Sequence, residues 1–213
     1  MKMRRTLGLK TCFKLFAISL LMFNALPAAA EVFTFRANRV TGTRSMGREV
    51  TILQGNAEVR ADGLLLRADR IELHGDNNRF IDGFGNVWGF EEDRNLLFTT
   101  DRLRHDRVLG ISRMEGNSTL EDRENEVVAQ SRFIEYDNET EIAVFQVSVR
   151  LFRDDMVSRS EHAVFNRRYQ LLDLSGFPRV FKAGDEFRAD RIRVDLETDD
   201  VTLEGNVAGV IRN

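Results

Sequence analysis

Beyond residue 30, apolar and polar residues alternate with a period of two over most of the chain. The alternation is clear over residues 32–37, 57–61 and 145–151. A period of two is typical of β-strands with one buried face, and no segment after residue 30 carries the apolar i, i+3, i+4, i+7 stripe of an amphipathic helix. Turn-forming pairs such as Asp62-Gly63 and Asp137-Asn138 separate these segments. The pattern predicts an all-β chain with tight turns.

Two short phrases repeat along the predicted strands at intervals of 29 to 32 residues. One is a small residue, a polar residue, usually an arginine, and an apolar residue, and it begins at Ala37, Ala68, Thr100, Gln130, Ser160 and Ala189. The other is Gly-Asn followed by a small or β-branched residue, and it begins at Gly55, Gly85, Gly116 and Gly205, with imperfect copies at Phe145 and Gly176. Repeated β units are stable when stacked, because each shares its core with its neighbours. We therefore expect an elongated open β-jellyroll of stacked antiparallel strands, built from six repeats of about thirty residues.

Each phrase has an expected structural role. The Asp and Arg side chains of the first phrase should form ladders on the solvent side of the strands, because charged residues on a strand face outward unless they are paired. In the second phrase, glycine should let the backbone bend or bulge, and asparagine should tolerate a left-handed conformation.

The first thirty residues differ from the rest of the chain. Residues 1–14 are basic, residues 15–26 are apolar, and Pro27 and three alanines follow. This is the pattern of a secretory signal peptide cleaved after Ala30, which would leave residues 31–213 as one exported domain. Retention as a membrane anchor is the alternative, but twelve helical residues reach about 18 Å across a hydrocarbon core of about 30 Å.

Charge and cysteine content exclude several functions for residues 31–213. The first thirty residues hold five basic residues and no acid, so 26 basic and 34 acidic residues remain and the formal charge is −8. An acidic body argues against nucleic acid as a partner. The only cysteine is Cys12, so we expect no thiolate metal site, and no cofactor motif is present.

Catalytic and metal-binding patterns are absent from the sequence. His74, His105 and His162 show no H-x-x-x-H spacing, and surface histidines are the expected reading. No G-x-S-x-G elbow occurs. We therefore expect no enzyme, no catalytic residue and no metal. The enzyme alternative is a carbohydrate-active β-solenoid that pairs carboxylates, for which Asp69, Asp101 and Asp190 are the best set. An adhesive β-solenoid is a further alternative.

The repeat resembles the OstA-like domain of lipopolysaccharide transport proteins. The residues that carry the resemblance are 51–59, the turn Asp62-Gly63, and residues 66–71 and 81–87, and the similarity extends over nearly all of residues 31–213. It departs from the pattern at Phe145-Gln146 and Gly176-Phe177. The resemblance implies a periplasmic bridge protein that carries lipopolysaccharide or a related glycolipid from the inner to the outer membrane. An inner-membrane-anchored OstA-like subunit is the alternative.

The resemblance also implies that acyl chains lie in an apolar groove inside the jellyroll. Exposing a lipid chain to water costs about 0.8 kcal/mol per methylene, so a lipid needs such shielding to cross an aqueous compartment. Ordinary core packing is the other reading of the same residues. The groove candidates are the inward members of the alternating strands: Ile52, Val59, Leu66, Ile71, Phe80, Phe84, Trp88, Phe98, Leu103, Phe133, Phe145, Val147, Phe165 and Ile192.

Both ends of the predicted stack are apolar strands, and unpaired strand edges favour pairing with another chain. The candidate docking residues are Phe33, Phe35, Leu203, Val207 and Val210. The implied partners are the inner-membrane and outer-membrane components of the lipopolysaccharide transport machinery, and head-to-tail homo-oligomers are possible.

Arginine dominates the basic residues of the body, since Lys182 is the only lysine after Ala30. Arginine binds phosphates and carboxylates in a bidentate manner. Arg67, Arg70 and Arg102 are therefore expected either to pair with acids across strands or to contact phosphorylated lipid heads.

Overall fold

The computed structural model describes residues 33–45 and 48–212, which form sixteen β-strands and one 3₁₀ turn at Asp76–Asn78. The predicted signal peptide and its cleavage site at Ala30 lie outside the described residues. In chain order the strands are β1 (Thr34–Arg36), β2 (Arg39–Ser45), β3 (Arg48–Ala61), β4 (Leu64–His74), β5 (Phe80–Glu91), β6 (Leu96–Asp106), β7 (Ile111–Asp122), β8 (Val127–Asp137), β9 (Ile142–Arg153), β10 (Met156–Asn166), β11 (Leu171–Ser175), β12 (Arg179–Lys182), β13 (Asp185–Arg188), β14 (Arg191–Asp195), β15 (Val201–Glu204) and β16 (Ala208–Val210).

All sixteen strands belong to one antiparallel sheet, and from β3 to β10 each strand pairs with the next strand along the chain. Strands β3 to β10 are 11 to 14 residues long, and the register between adjacent strands shifts near their middle. Each long strand is therefore bent into two halves.

The shorter strands are halves of the same kind of bent strand. β1 and β2 both pair with β3, and β11 and β12 both pair with β10. In the same way β13 with β14, and β15 with β16, continue the two halves of the sheet. The sixteen strands thus make twelve bent strands, which is two for each of the six sequence repeats.

In every second bent strand the bend falls at the second sequence phrase, where the backbone adopts positive φ. Gly85 has φ +70° and Asn86 has φ +45°, and Gly205 and Asn206 have almost the same values. Glycine carries no Cβ penalty there, and asparagine tolerates the left-handed region better than most residues. The expected bend at Gly-Asn is confirmed.

The buried face of both halves forms one continuous apolar cluster that extends from Leu53 to Leu196. Burial alternates along β6, in which Leu96 and Phe98 are buried while Leu97 is partly exposed. The predicted all-β jellyroll class is confirmed. Within residues 33–45 and 48–212, no helix is long and apolar enough to cross a membrane.

Candidate functional site

The interior between the two halves of the bent strands is the first candidate site. Eight of the predicted groove residues lie there and are no more than 3% exposed. Exposure this low means that neighbouring side chains fill the space around them, as in an ordinary core. The eight residues are Val59, Leu66, Ile71, Phe98, Leu103, Phe145, Phe165 and Ile192.

Six other groove candidates do not lie on the buried face, so their expected inward position is wrong. In β5 the buried apolar residues are odd-numbered, among them Ile81 and Val87, which places the even-numbered aromatic residues on the outer face. Glycine occupies an interior position of β5 because a Cβ atom on Gly89 would lie 2.0 Å from the ring of Phe98. Gly89 thus leaves room for the Phe98 ring, and the large side chains of β5 lie on the other face. The six residues are Ile52, Phe80, Phe84, Trp88, Phe133 and Val147.

The outer-face aromatic residues lie beneath guanidinium groups that are also paired with acids. Arg67 lies 5.2 Å from the ring centroid of Trp88, and its Nε donates to Glu58 Oε2 at 2.8 Å. Hydrogen bonds from Arg67 and Arg36 lower the pKa of Glu58. Arg102 lies 5.3 Å from the ring centroid of Phe84 and 3.7 Å from a carboxylate oxygen of Glu115.

Arg70 belongs to the same arrangement, because it contacts Phe84 and forms an ion pair with Glu72. Of the two expectations for Arg67, Arg70 and Arg102, the structure therefore places these arginines in pairs with acids.

The polar residue of the first sequence phrase lies at the bend of the neighbouring strand. Asn86 Nδ2 donates to Asp69 Oδ2 at 2.9 Å, and the backbone N–H of Asn117 donates to Asp101 Oδ2 at the same distance. Asp190 accepts two hydrogen bonds from Asn206 Nδ2. The expected solvent-side ladder of these aspartates is therefore replaced by a cap on each of these three bends.

The bends also separate the carboxylates proposed for an enzyme. Asp69 lies on β4, Asp101 lies on β6 and Asp190 immediately precedes β14. Each is hydrogen-bonded to a different bend on a neighbouring strand, so the structure does not bring the three carboxylates together.

Four polar contacts join the turns at opposite ends of the bent strands, and we call this set the polar seam. Each contact spans 45 to 47 residues along the chain. The seam closes the interior on the side opposite the bends. Its members are Asp62 with Arg107 (2.5 Å), Glu91 with Asn138 (2.8 Å), Asp122 with Arg167 (2.8 Å) and Arg153 with Asp199 (3.4 Å).

The centre of the seam is buried and connected. Arg167 is 9% exposed, and besides Asp122 it donates to the backbone oxygen of Arg94 at 2.8 Å and to Glu124. Burial raises the pKa of Glu91, which accepts a hydrogen bond from Asn138, and burial likewise raises the pKa of the adjacent Tyr136 hydroxyl. These groups hold the two rims of the jellyroll together in a low-dielectric environment.

The sequence model of the OstA-like protein family matches residues 29–169, which is 141 of the 213 residues. The chain belongs to the OstA-like family. This confirms the resemblance in the thirty-residue repeat. Among solved structures, the chain is similar to LptH of Pseudomonas aeruginosa, the LptA-homologous periplasmic component of a lipopolysaccharide transport device, with 12% identity and a TM-score of 0.27 over 86% of this chain and 96% of that one. No curated protein matches the sequence.

The outermost strands of this OstA-like chain leave one edge free at each end of the described sheet. β1 and β2 pair only with β3, β15 pairs only with β14, and β16 pairs only with β13. Phe35 lies opposite the buried Val59, and Leu203 lies opposite the buried Ile192, so the apolar interior reaches both ends. Phe33 packs against the core next to Phe35, and the exposed fractions of Val207 and Val210 are 56% and 50%.

The histidines of the OstA-like domain do not form a metal site. Among the described residues, no group of three or more His, Cys, Asp or Glu side chains is placed to hold a metal ion. His105 is 3% exposed, so its expected surface position is wrong. Burial lowers its pKa to about 4, and its Nδ1 lies 2.9 Å from Ser112 Oγ. His105 is therefore a neutral core residue in the folded protein near pH 7.

Sequence reasoning missed the polar seam and a row of arginines on the outer face of β9, β10, β12 and β13. The seam residues stand in turns 45 to 47 residues apart, where acids and arginines are ordinary. The sequence signal for these arginines was the pair of departures from Gly-Asn at residues 145–148 and 176–178, because Arg150 and Arg179 lie within two residues of those bends.

Proposed function

We propose that this OstA-like protein is a periplasmic lipid-binding bridge that carries lipopolysaccharide, or a related glycolipid, with the acyl chains between the two halves of its bent strands. The observation that carries the proposal is the uninterrupted apolar interior, which extends through twelve bent strands and opens at Phe35 and Leu203. Membership of the OstA-like family supports the same reading.

Admission of lipid requires the two halves to separate, because side chains fill the interior of the closed form. The bends are backbone features held by their own caps, whereas the polar seam is made of side-chain contacts between turns. We therefore assign the opening movement to the seam side. The apolar side chains would then lose contacts with one another and gain contacts with acyl chains. The buried apolar area would change little.

The docking of partners follows from the free edges. An added strand would satisfy the unpaired backbone groups of β1 and β2 at one end or of β15 and β16 at the other. We propose that inner-membrane and outer-membrane components of the transport machinery bind these edges, and that copies of the chain bind head to tail. Either arrangement would join one apolar interior to the next.

Photo-crosslinking tests the interior site. Benzoylphenylalanine replaces Phe98 or Phe145 on the inner face, and Trp88 on the outer face serves as the control, since all three positions already hold aromatic rings. We expect lipopolysaccharide adducts in cells at Phe98 and Phe145 and at most trace adducts at Trp88. Circular dichroism establishes that each variant is folded.

The pattern of adducts decides the proposal. Adducts at Trp88 alone would move the lipid to the outer face and overturn the interior site. Folded variants with no adduct at Phe98 or Phe145 would overturn it as well.

A further inference from the structure

Four arginines stand directly opposite one another across four neighbouring strands. Arg150 of β9 pairs with Arg159 of β10, Arg159 with Arg179 of β12, and Arg179 with Arg188 of β13. All four are exposed, and the residues on both sides of Arg150, Arg159 and Arg179 are buried, so these side chains share the outer face. Side chains directly opposite in an antiparallel pair have Cβ atoms about 4.5–5.5 Å apart.

Three members of this row lack an acidic partner. Elsewhere on the outer face arginines pair with acids, as Arg104 does with Asp82 at 2.8 Å and Arg113 with Glu135 at 2.6 Å. Among the described residues, no carboxylate lies within ion-pair distance of Arg150, Arg159 or Arg179. Like charges directly opposite on a sheet are destabilising. The row therefore carries an electrostatic cost that an anion would relieve.

Arg188 and Arg159 differ from the other two arginines in their surroundings. Arg188 donates to Glu186 at 2.7 Å, which neutralises that end of the row. Arg159 lies 5.8 Å from the ring centroid of Phe181, on a half-buried apolar part of the outer face. The free positive charge is thus concentrated on Arg150, Arg159 and Arg179, which we call the arginine row.

The arginine row lines a surface cavity of about 360 Å³ next to the two bends that lack Gly-Asn. Phe177, at one of these bends, is 90% exposed with φ +59°, and Val147, at the other, has φ +67°. The one carboxylate in the cavity belongs to Glu161, whose Oε2 accepts a hydrogen bond from the backbone N–H of Ser148 at 3.2 Å. The cavity is thus lined by three guanidinium groups and an exposed aromatic ring, but by only one carboxylate.

We propose that the arginine row and Phe177 form a site for the phosphate groups of a phosphorylated saccharide. Guanidinium groups bind phosphate oxygens in a bidentate manner, and three of them at strand spacing can hold two phosphates on one sugar unit. The Phe177 ring offers an apolar surface for a sugar face. If the ligand is the head group of a glycolipid, this inference rests on the proposed function. If the ligand is a soluble phosphorylated sugar, the inference is independent of it.

The test measures binding of chemically deacylated lipopolysaccharide, a phosphorylated oligosaccharide without acyl chains, by isothermal titration calorimetry at low salt. The variant Arg150→Gln/Arg159→Gln/Arg179→Gln removes the row. The matched control Arg67→Gln/Arg104→Gln/Arg113→Gln removes three outer-face arginines that are paired with acids. We expect at least tenfold weaker binding in the first variant and less than twofold change in the control. The melting temperature of the row variant should not fall, because Arg150, Arg159 and Arg179 form no ion pair with the described residues that could be lost.

Further ligands identify what the site recognises. Enzymatically dephosphorylated oligosaccharide should lose the binding, and its retention would overturn the phosphate assignment. Equal binding of glucose 1-phosphate and the deacylated oligosaccharide would assign the site to a soluble phosphorylated sugar, and stronger binding of the oligosaccharide would assign it to the lipid head.

The arginine site and the proposed lipid-carrying function can be contradicted independently of each other. If wild-type protein does not bind the deacylated oligosaccharide, or if the row variant binds it as wild type does, the arginine site is wrong. Crosslinks from Phe98 and Phe145 to lipopolysaccharide would still stand in that case. If those crosslinks are absent while phosphate binding depends on the row, the interior function is wrong and the arginine site stands.

Discussion

At the scale of single residues, the fold repeats one unit, in which a polar side chain packs over a glycine at a bend of the adjacent strand. A Cβ atom on Gly85 would lie 2.6 Å from Asp69 Oδ2, and one on Gly205 would lie 2.3 Å from Asp190 Oδ2. The glycine is needed both for its positive φ and for the space that the aspartate fills. The two sequence phrases keep the same spacing because Asp69, Asp101 and Asp190 of the first phrase each cap a bend of the second on the adjacent strand.

Replacement of Gly116 by alanine tests this unit. A Cβ atom would lie 2.2 Å from Asp101 Oδ2, and φ is +102°, so the aspartate must move and its hydrogen bond to the Asn117 N–H is lost. We expect Gly116→Ala to lower the free energy of unfolding by about 2–3 kcal/mol, the sum of backbone strain and the lost charge-assisted bond. Urea unfolding measures it.

Gly184→Ala is the matched control for backbone strain alone. Gly184 has φ +91°, but a Cβ atom there would meet nothing within 4 Å. We expect a loss of about 1 kcal/mol for this variant. Equal losses at Gly116 and Gly184 would show that the aspartate cap contributes nothing.

At the scale of the strands, this jellyroll differs from a flat sheet because polar contacts join its two rims at regular intervals. The contacts Asp62–Arg107, Glu91–Asn138 and Asp122–Arg167 join turns at opposite ends of bent strands with nearly constant chain separation. Constant separation means that each rim is offset from the other by about one and a half repeats. Strand bending brings the rims together, and the polar seam fixes which turns meet.

The strand class and the bend position were predictable from sequence, whereas the face on which several side chains lie was not. Period-two alternation and Gly-Asn spacing are local signals, and both were confirmed. Whether the odd- or the even-numbered residues of a strand face inward depends on its register with the adjacent strands. Phe84 and Trp88 were for this reason assigned to the wrong face. Arg167 meets Asp122 only because the rims close, and no local pattern carries that contact.

Loss of Arg167 should be the most damaging change in the seam. Arg167→Met leaves the carboxylate of Asp122, which is 2% exposed, without its guanidinium partner. An uncompensated buried charge costs about 3–5 kcal/mol, so we expect the urea midpoint to fall accordingly. In the double variant Asp122→Leu/Arg167→Met, much of this loss should be recovered.

Arg113→Met controls for removal of an exposed arginine. Its pair with Glu135 is about half exposed on both sides, and such pairs contribute about 1 kcal/mol or less. A loss at Arg167 no larger than at Arg113 would contradict a buried, closed seam.

For the whole molecule, the two ends complement each other. The inner faces of β1 and β15 present Phe35 and Leu203 beside the fully buried Val59 and Ile192, and both strands have a free hydrogen-bonding edge among the described residues. A contact between the first edge of one copy and the last edge of the next is heterologous, so it leaves further edges free and does not close. Its expected product is a linear stack whose length depends on protein concentration.

Blocking each edge separately tests the linear stack. Lysine blunts free strand edges, and Val207, Val210 and Phe35 are each about half exposed, so lysine there should not unfold the domain. In sedimentation velocity, we expect Val207→Lys/Val210→Lys and Phe35→Lys each to remain monomeric at concentrations where wild type forms oligomers. A mixture of the two variants retains one intact first edge and one intact last edge, and should therefore form dimers and nothing longer.

The control Val108→Lys/Tyr169→Lys places the same charges on exposed turn residues and should oligomerise as wild type does. A mixture that stays monomeric, or a blocked variant that still forms long oligomers, would contradict head-to-tail pairing through these edges.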